Sequence, residues 1–307
     1  MSPLLSSDFS EVVLPELPEL PSMTSLSERR FLYHLGREVH SGRGAVVEIG
    51  TWQGGSSVHL AAGVRDSGHP GPIHCYDDFI WRPGMARKSD AGIAEGDSFF
   101  PLFEANTRPL ADWIDARTAS SNDLGWEGGP IEILVVDGPK SWRGIRRLFS
   151  QVVPHFLPGT TILSFQDYLH FPSYEIALFL ATQDYLEPVF HTRGGTTVAF
   201  RVTGAAPGRF DEADVVPLRK RSAEEIRALF DRLLATFPPE VADRLAPACP
   251  MVLWDCGFKA EAEAEASALG IGPVAAGQIL RKIEGHGKPA FAWLAARLHE
   301  RMRDGAG

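Results

Sequence analysis

The chain has 307 residues, enough for one large domain or two small ones. Hydrophobic residues make up 44% of it and charged residues 22%, values that exclude a fibre and an intrinsically disordered chain. The formal net charge of −9 argues against a protein that binds the phosphate backbone of nucleic acids, because such proteins carry clustered Lys and Arg.

The cysteines and the N-terminus predict a cytoplasmic protein. Cys75, Cys249 and Cys256 form no Cys-x-x-Cys pair, so neither a disulfide framework nor a zinc site is expected. The N-terminus lacks the basic start and the continuous apolar stretch of a secretory signal. Nowhere do 18 apolar residues run together, so no membrane-spanning helix and no membrane partner are predicted.

The first 40 residues divide into an arm and a helix. Residues 1–22 carry four prolines among alternating acids and leucines, a composition that favours an extended arm over a packed element, either as a tail or as an arm that grasps a partner. At Ser25 a capping box begins, with Glu28 three residues later. The helical spacing of apolar residues that follows predicts a helix ending near His40.

Short apolar runs and helix-compatible stretches then alternate. The predicted strands are 45–49, 73–76, 114–118, 131–136 and 160–165, and the predicted helices between them are 56–66, 98–107 and 141–153. Runs such as 131–136 are nearly all apolar, as strands buried on both faces of a parallel sheet must be. The alternation predicts an open α/β sheet.

The sheet is expected to close with a hairpin. After a helix at about 173–183, the apolar runs 187–191 and 196–202 are joined by a loop that contains Gly194-Gly195, which is a hairpin signal. A linker at 204–222 and helices follow, and we predict that this tail serves in packing, as a lid or in oligomerisation. The predicted helices of the tail are 222–236, 239–246, 258–269, 273–284 and 288–303.

The strongest functional signal is the segment VEIGTWQGGSS at 47–57. Glu48 lies at the end of the first strand of the alternation, and Gly50 and Gly54 follow in the turn into the next helix. This places a carboxylate and bare backbone amides at the carboxyl edge of the sheet, where open α/β proteins bind ligands. A dinucleotide-binding G-x-G-x-x-G would need Gly at the position of Trp52, which disfavours a nicotinamide enzyme.

The spacing Glu48-x-Gly50-x-x-x-Gly54 resembles the first motif of the class I S-adenosylmethionine-dependent methyltransferases. Within that superfamily the chain is similar to the small-molecule O-methyltransferases related to macrocin O-methyltransferase and to the cephalosporin hydroxylase proteins. Further matching segments follow in order across about 25–203: Tyr76-Asp77-Asp78-Phe79, Val136-Asp137-Gly138-Pro139-Lys140-Ser141-Trp142, Leu157-Pro158-Gly159-Thr160 and Gln166-Asp167-Tyr168.

The resemblance implies a Rossmann-like class I methyltransferase fold. This is an α/β fold with a seven-stranded, mostly parallel sheet that ends in an antiparallel hairpin. The implied organisation is an arm at 1–22, a methyltransferase domain at 23–203, and a linker with a helical C-terminal extension at 204–307. A homo-oligomer formed through the arm or the C-terminal helices is a candidate assembly.

The resemblance also implies S-adenosylmethionine as cofactor, bound at the carboxyl ends of the first two strands. The residues expected to bind it are Glu48, Gly50, Thr51, Trp52, Gly54, Ser56, Asp77, Asp78, Ser120 and Asp137. Glu48 would bind the cofactor's ammonium or orient the loop, and Asp77 would accept hydrogen bonds from ribose hydroxyls. Ser120 or Ser121 would lie near the adenine.

Two further acids point to the chemistry. Asp137 and Asp167 end the fourth and fifth strands of the alternation, which predicts carboxylates roughly 5 Å apart on adjacent strands. Acids at that separation share a proton or bridge a hard cation such as Mg²⁺, and Gln166 completes the candidate metal set. In the resembling group such a cation lowers the pKa of the acceptor hydroxyl, which attacks the sulfonium methyl in line.

The chain departs from the resembling group where acid–base chemistry is expected. Lys140 stands in place of a His, Pro139 in place of an Asp, and Gln166 in place of the first member of a His-Asp or Asp-Asp pair. The candidate catalytic residues are Lys140, as a base if desolvation lowers its pKa, together with Asp167 and His170.

Two functions stay open at this point. The first is O-methylation of a small-molecule hydroxyl on a sugar or a secondary metabolite. The second is a catalytically silent methyltransferase-like module that acts as a binding or assembly partner. The long connection at 79–98 is a candidate lid, with Trp81, Met85 and Arg87 facing cofactor and substrate.

Overall fold

A computed structural model describes residues 5–204, 206–207, 209–211, 215–269, 273–283 and 288–304. The chain divides into two compact units. The first comprises Met1–Asp167 and Gln183–Glu212, and the second comprises Tyr168–Thr182 and Ala213–Gly307. Among the described residues, no helix has the length and apolar character needed to cross a membrane.

An eight-stranded sheet forms the centre of the first unit. Its strands are β1 (Leu5–Ser7), β2 (Ala45–Ile49), β3 (Ile73–Asp77), β4 (Ile114–Thr118), β5 (Ile131–Val136), β6 (Ile162–Phe165), β7 (Leu186–Thr192) and β8 (Val198–Val202). The strand order is β1-β7-β8-β6-β5-β2-β3-β4, and only β8 runs antiparallel to its neighbours. The predicted mostly parallel sheet with a terminal antiparallel hairpin is confirmed, and the N-terminal segment adds an eighth, edge strand.

The helices of the first unit connect these strands. They are α1 (Leu26–His34), α2 (Gly55–Ser67), α3 (Phe100–Thr107) and α4 (Trp142–Val152). Ser25 caps α1, because its side chain accepts a hydrogen bond from the Glu28 backbone amide at 3.2 Å while the Glu28 carboxylate accepts one from the Ser25 amide. The helical path continues as a π-turn through Leu35–Val39 and ends before His40, as the sequence predicts.

The N-terminal segment packs onto its own unit. Phe9 is buried, and Val12, Leu14, Leu17 and Leu20 pack against the hydrophobic core that α1 and α2 share with the sheet. These residues are therefore packed and do not form a free extended arm, and their predicted part in binding a partner stays a prediction.

The second unit is helical. Its helices are α5 (Tyr174–Leu180), α6 (Ala223–Ala235), α7 (Pro239–Leu245), α8 (Ala248–Asp255), α9 (Lys259–Ala268), α10 (Pro273–Ile283) and α11 (Pro289–Asp304). Of these, α8 was not predicted. Its first six residues are all buried, so it shows no amphipathic period, and Pro250 is tolerated because it lies in the first turn, where the amide has no helical partner.

Candidate functional site

The loop between β2 and α2 brings bare backbone to the carboxyl edge of the sheet. Gly50 has φ +83°, and a Cβ there would lie 2.3 Å from the backbone oxygen of Asp137. Gly54 has φ +90°, and a Cβ there would lie 2.6 Å from Cγ2 of Thr107. Both positions require glycine for conformation and for space. The two glycines therefore let the loop pack closely against the end of β5 and against α3.

The Asp77 carboxylate, at the end of β3, holds this loop in place. Its Oδ2 accepts hydrogen bonds from the amides of Thr51 and Trp52, each at 3.0 Å, and its Oδ1 accepts one from the amide of Phe79 at 2.9 Å. Burial raises the pKa of the Asp77 carboxyl, and the three amides oppose that rise. Asp77 thus has a structural task besides the ribose contact that the resemblance implies.

Glu48 lies beneath the loop. Its side chain is 1% exposed, and its Oε2 accepts hydrogen bonds from Ser57 Oγ at 2.5 Å and from Cys75 Sγ at 3.4 Å. Burial raises the pKa of the Glu48 carboxyl against these hydrogen bonds. Of the two predicted roles, the contacts favour orientation of the loop, since Ser57 lies in the first turn of α2.

Residues with strained backbone conformations lie at the same edge of the sheet. Among the residues that the structure describes, three other than glycine have positive φ: Trp52 at 44°, Phe79 at 51° and Asp167 at 57°. They follow β2, β3 and β6 respectively. Each such conformation costs of order 1–3 kcal/mol, and this kind of strain is typical of functional sites.

A cavity of about 400 Å³ opens between these loops. The size is within the range of small-molecule sites. Its lining residues are Met23, Ile49, Gly50, Trp52, Tyr76, Asp77, Asp78, Arg82, Met85, Ala119, Ser121, Asp137, Gly138 and Lys140. Gly50 and Trp52 of the loop therefore face the same space as Asp137 and Lys140.

The connection after β3 supplies one wall of the cavity. Nη1 of Arg82 donates to Oδ1 of Asp78 at 2.9 Å, and this guanidinium lowers the pKa of the Asp78 carboxyl. Of the three predicted lid residues, Met85 lines the cavity, Trp81 is buried, and Arg87 is exposed and outside the lining. Sequence reasoning missed Arg82, although its position four residues after Asp78 hinted at an ion pair.

Asp137, Lys140 and Asp167 form a charged cluster at the ends of β5 and β6. Nζ of Lys140 contacts the Asp167 carboxylate directly and lies 4.0 Å from Oδ1 of Asp137. Oγ1 of Thr196 lies 3.5 Å from Oδ1 of Asp167. Burial, the nearby Lys140 ammonium and the carboxylates of Asp167 and Glu48 together bring the pKa of Asp137 up to about 7; burial and the carboxylates raise it, and the ammonium opposes them.

Lys140 does not meet the condition for a base. Partial burial lowers the pKa of its amine, but the carboxylates of Asp137 and Asp167 outweigh this and raise the pKa above its usual value. The predicted role of Lys140 as a desolvated general base is corrected accordingly: the residue carries a positive charge.

Comparison with protein families identifies the domain. A family model described as a methyltransferase domain matches residues 47–168. Residues 47–168 therefore match a methyltransferase domain. The match begins in β2 and ends just beyond Asp167, so it spans the glycine loop and the charged cluster.

Solved structures of methyltransferases are similar to the chain at low identity. The O-methyltransferase NovP is 16% identical, with 60% of this chain and 83% of that chain covered and a TM-score of 0.47. The O-methyltransferase from Bacillus cereus in complex with SAH is 16% identical, with coverage of 61% and 84% and a TM-score of 0.41. These likenesses are too distant to indicate a substrate. No curated protein matches the chain.

The cavity of the methyltransferase domain suits a polar nucleoside cofactor. Within the described part of the chain, the buried Nε1 of Trp52 and the buried Oγ1 of Thr51 make no hydrogen bond. Trp52 lines the cavity. Buried polar groups in proteins nearly always have partners, so Nε1 of Trp52 fits a ligand that brings polar groups of its own.

The residues of the methyltransferase domain do not fit the predicted Mg²⁺. In the described ranges, no group of three or more His, Cys, Asp and Glu side chains is arranged to hold a metal ion. Of the predicted ligands, Asp137 and Asp167 already share the ammonium of Lys140, which supplies positive charge where a divalent cation would bind. Gln166 adds only a neutral amide to this set.

The other predicted residues are placed as follows. Ser56 is buried in the first turn of α2. Oγ of Ser120 accepts a hydrogen bond from the Asn122 amide at 3.2 Å, and the neighbouring Ser121 lines the cavity instead. His170 belongs to the second unit, where its Nδ1 lies 3.2 Å from Oγ of Ser173. Met23, which precedes α1, lines the cavity without any sequence signal that pointed to it.

Proposed function

We propose that the protein transfers a methyl group from S-adenosylmethionine to a hydroxyl oxygen of a small molecule, a sugar or a secondary metabolite, in the cytoplasm. One observation carries this proposal: the cavity is lined both by the glycine loop and Asp77 and by Asp137 and Lys140. A cofactor on the loop and an acceptor at the charged cluster would therefore meet in one space.

The loop side provides the cofactor contacts. When bound, S-adenosylmethionine supplies a methyl group on a sulfonium that an acceptor oxygen attacks in line. Asp77 accepts three amide hydrogen bonds, and Asp78 is bonded to Arg82 and to the amide of Ile80. A carboxylate has about four acceptor positions, so each acid retains capacity for a ribose hydroxyl.

The cluster side provides the acid–base chemistry. Asp137 lines the cavity, and its carboxylate is the group we assign to receive the acceptor's hydroxyl proton. The ammonium of Lys140 would stabilise negative charge that develops on the acceptor oxygen. Asp167 contacts Lys140 and holds the ammonium near Asp137. In this scheme Lys140 takes the part that a divalent cation plays in the resembling group.

The proposal is tested first by calorimetric titration of the cofactor-stripped protein with S-adenosylmethionine and S-adenosylhomocysteine. Micromolar binding is expected, and methyl transfer from labelled cofactor to a panel of hydroxylated sugars and secondary metabolites follows. A folded protein that binds neither compound contradicts the proposal and supports the silent module instead. Cofactor binding without methyl transfer to any acceptor of the panel also supports the silent module.

A further inference from the structure

The buried carboxylate of Glu28 joins the start of α1 to the loop of the β7–β8 hairpin, 168 residues further along the chain. On the helix side, its Oε2 accepts hydrogen bonds from the amide of Ser25 at 2.9 Å and from the Ser25 hydroxyl at 2.8 Å. On the hairpin side, its Oε1 accepts from the amide of Thr196 at 2.8 Å and from the hydroxyl of Thr197 at 2.9 Å. The hairpin loop is thus fixed to α1 through one carboxylate.

These four donors leave the Thr196 hydroxyl for another acceptor. Its Oγ1 lies 3.4 Å from Oε1 of Glu28 and 3.5 Å from Oδ1 of Asp167. A hydroxyl has one proton to donate, and a carboxylate has about four acceptor positions. The four shorter hydrogen bonds already occupy those positions on Glu28. The proton of the Thr196 hydroxyl is therefore directed to Oδ1 of Asp167.

The Asp167 carboxylate is contacted on both of its oxygens. Oδ2 contacts the ammonium of Lys140 directly, and Oδ1 faces the hydroxyl of Thr196. The backbone of Asp167 has φ 57°, and such a conformation persists only where surrounding contacts fix it. Since the same ammonium lies 4.0 Å from Oδ1 of Asp137, the direction of the Asp167 carboxylate sets where the positive charge stands relative to Asp137.

We propose that Thr196 is a positioning residue for methyl transfer: its hydroxyl donates to Oδ1 of Asp167, and this keeps the other oxygen of that carboxylate on the ammonium of Lys140. Thr196 acts through Asp167 and touches neither cofactor nor acceptor in this scheme. Glu28 in turn holds Thr196 in place through its amide. This inference rests on the proposed function, because the reaction that it serves is the proposed methyl transfer.

Thr196→Val tests the hydroxyl, because valine has nearly the shape of threonine and keeps the amide that donates to Glu28. We expect kcat to fall by about tenfold or more, since a hydrogen bond to a charged group is lost, while S-adenosylhomocysteine affinity stays within about twofold of wild type. Thr196→Ser keeps the hydroxyl and should recover most of the loss. The matched control is Thr160→Val, with kcat within about twofold of wild type, because the half-buried Thr160 precedes β6 at the opposite edge of the sheet.

A double-mutant cycle tests whether Thr196 acts through Asp167. In an Asp167→Asn background, Thr196→Val should change kcat by less than about twofold, because the charge that holds the ammonium is already absent. A further tenfold loss of kcat in that background would overturn the proposal. Equal losses of kcat in Thr196→Val and Thr196→Ser would also overturn it, since the hydroxyl would then be irrelevant.

Acetylation of Lys140 by a hydroxysuccinimide ester, followed by mass spectrometry, measures the same contact without turnover. The amine is half-exposed, and it reacts only after it loses its proton, which the contact with Asp167 opposes. Thr196→Val should raise the rate at Lys140 by about threefold or more relative to the exposed Lys220. An unchanged rate overturns the positioning role of Thr196, whether or not the wild-type protein transfers methyl. A raised rate in a protein that transfers no methyl contradicts the proposed function and leaves the contact in place.

Discussion

The two sides of the first cavity are built in different ways. On the side of β2 and β3, Gly50 and Trp52 of the loop form the surface, and Asp77 fixes this loop through hydrogen bonds from the amides of Thr51 and Trp52. On the side of β5 and β6, the surface is defined by three charged side chains, Asp137, Lys140 and Asp167. A site made of backbone tolerates few substitutions, whereas a site made of side chains can exchange one charge for another.

The largest expected effect is on the charged side. Asp137→Asn removes the carboxylate that receives the hydroxyl proton, and we expect kcat to fall by about 10²- to 10⁴-fold. S-Adenosylhomocysteine affinity should change by less than about threefold, because Asn keeps the size of the side chain. Steady-state kinetics and calorimetry measure the two quantities, with the exposed Asp112→Asn as control. If Asp137→Asn lost cofactor binding, the two sides of the cavity would not have the separate functions that we assign to them.

A second substitution examines the backbone side. Gly50→Ala would place a Cβ 2.3 Å from the Asp137 backbone oxygen at φ +83°, so the loop must move. We expect about a hundredfold loss of S-adenosylhomocysteine affinity, since strain and displacement act together. Gly68→Ala is the matched control, because Gly68 has φ +78° and nothing within 4 Å of its Cβ position. Equal affinities for the two variants would show that close approach is irrelevant.

The pH dependence of turnover sharpens the account of the charged cluster. Asp137 must be ionised to accept a proton, so kcat should rise with pH through about 7, the pKa to which burial raises this carboxyl. Lys140→Gln removes a charge that lowers this pKa and should move the midpoint upward, by roughly one pH unit. Asp167→Asn removes a charge that raises it and should move the midpoint downward. Midpoints that are identical in all three proteins would exclude Asp137 as the titrating group.

The smallest expected effect is that of Mg²⁺ on kcat. Because Lys140 already pairs with Asp137 and Asp167, kcat should change by less than about twofold when EDTA replaces Mg²⁺ in the assay. Lys140→Ala should lower kcat and create room for a cation. A strict Mg²⁺ requirement in the wild-type protein would show that the ammonium gives way to a metal when the site is at work.

The fold could be predicted well because its signals are local. The strands predicted at 45–49, 114–118 and 131–136 have those same bounds in the structure. Helix α8 escaped prediction, since a helix buried on nearly every side has no polar face to reveal its period. The eighth strand, Leu5–Ser7, also escaped, because three residues of edge pairing leave no pattern in the sequence.

The residues of the candidate site also include some that the sequence predicts and some that it does not. The glycines and acids at strand ends could be named from their spacing, since parallel strands bring their carboxyl ends to one edge. Met23 and Arg82 could not be named, because their places in the cavity depend on how the N-terminal segment and the connection after β3 fold over the sheet. The charge state of Lys140 could not be predicted from the sequence either, since it depends on two carboxylates that follow different strands.

The sequence by itself determined the order of strands and helices, the glycine loop and the acids at the sheet edge, because these follow from hydrophobic period and from turn chemistry along the chain. Only the tertiary structure decided that Asp77 holds the loop and that Lys140 is an ion-paired cation. These outcomes depend on distances between residues far apart in sequence, and on burial, which no local pattern encodes.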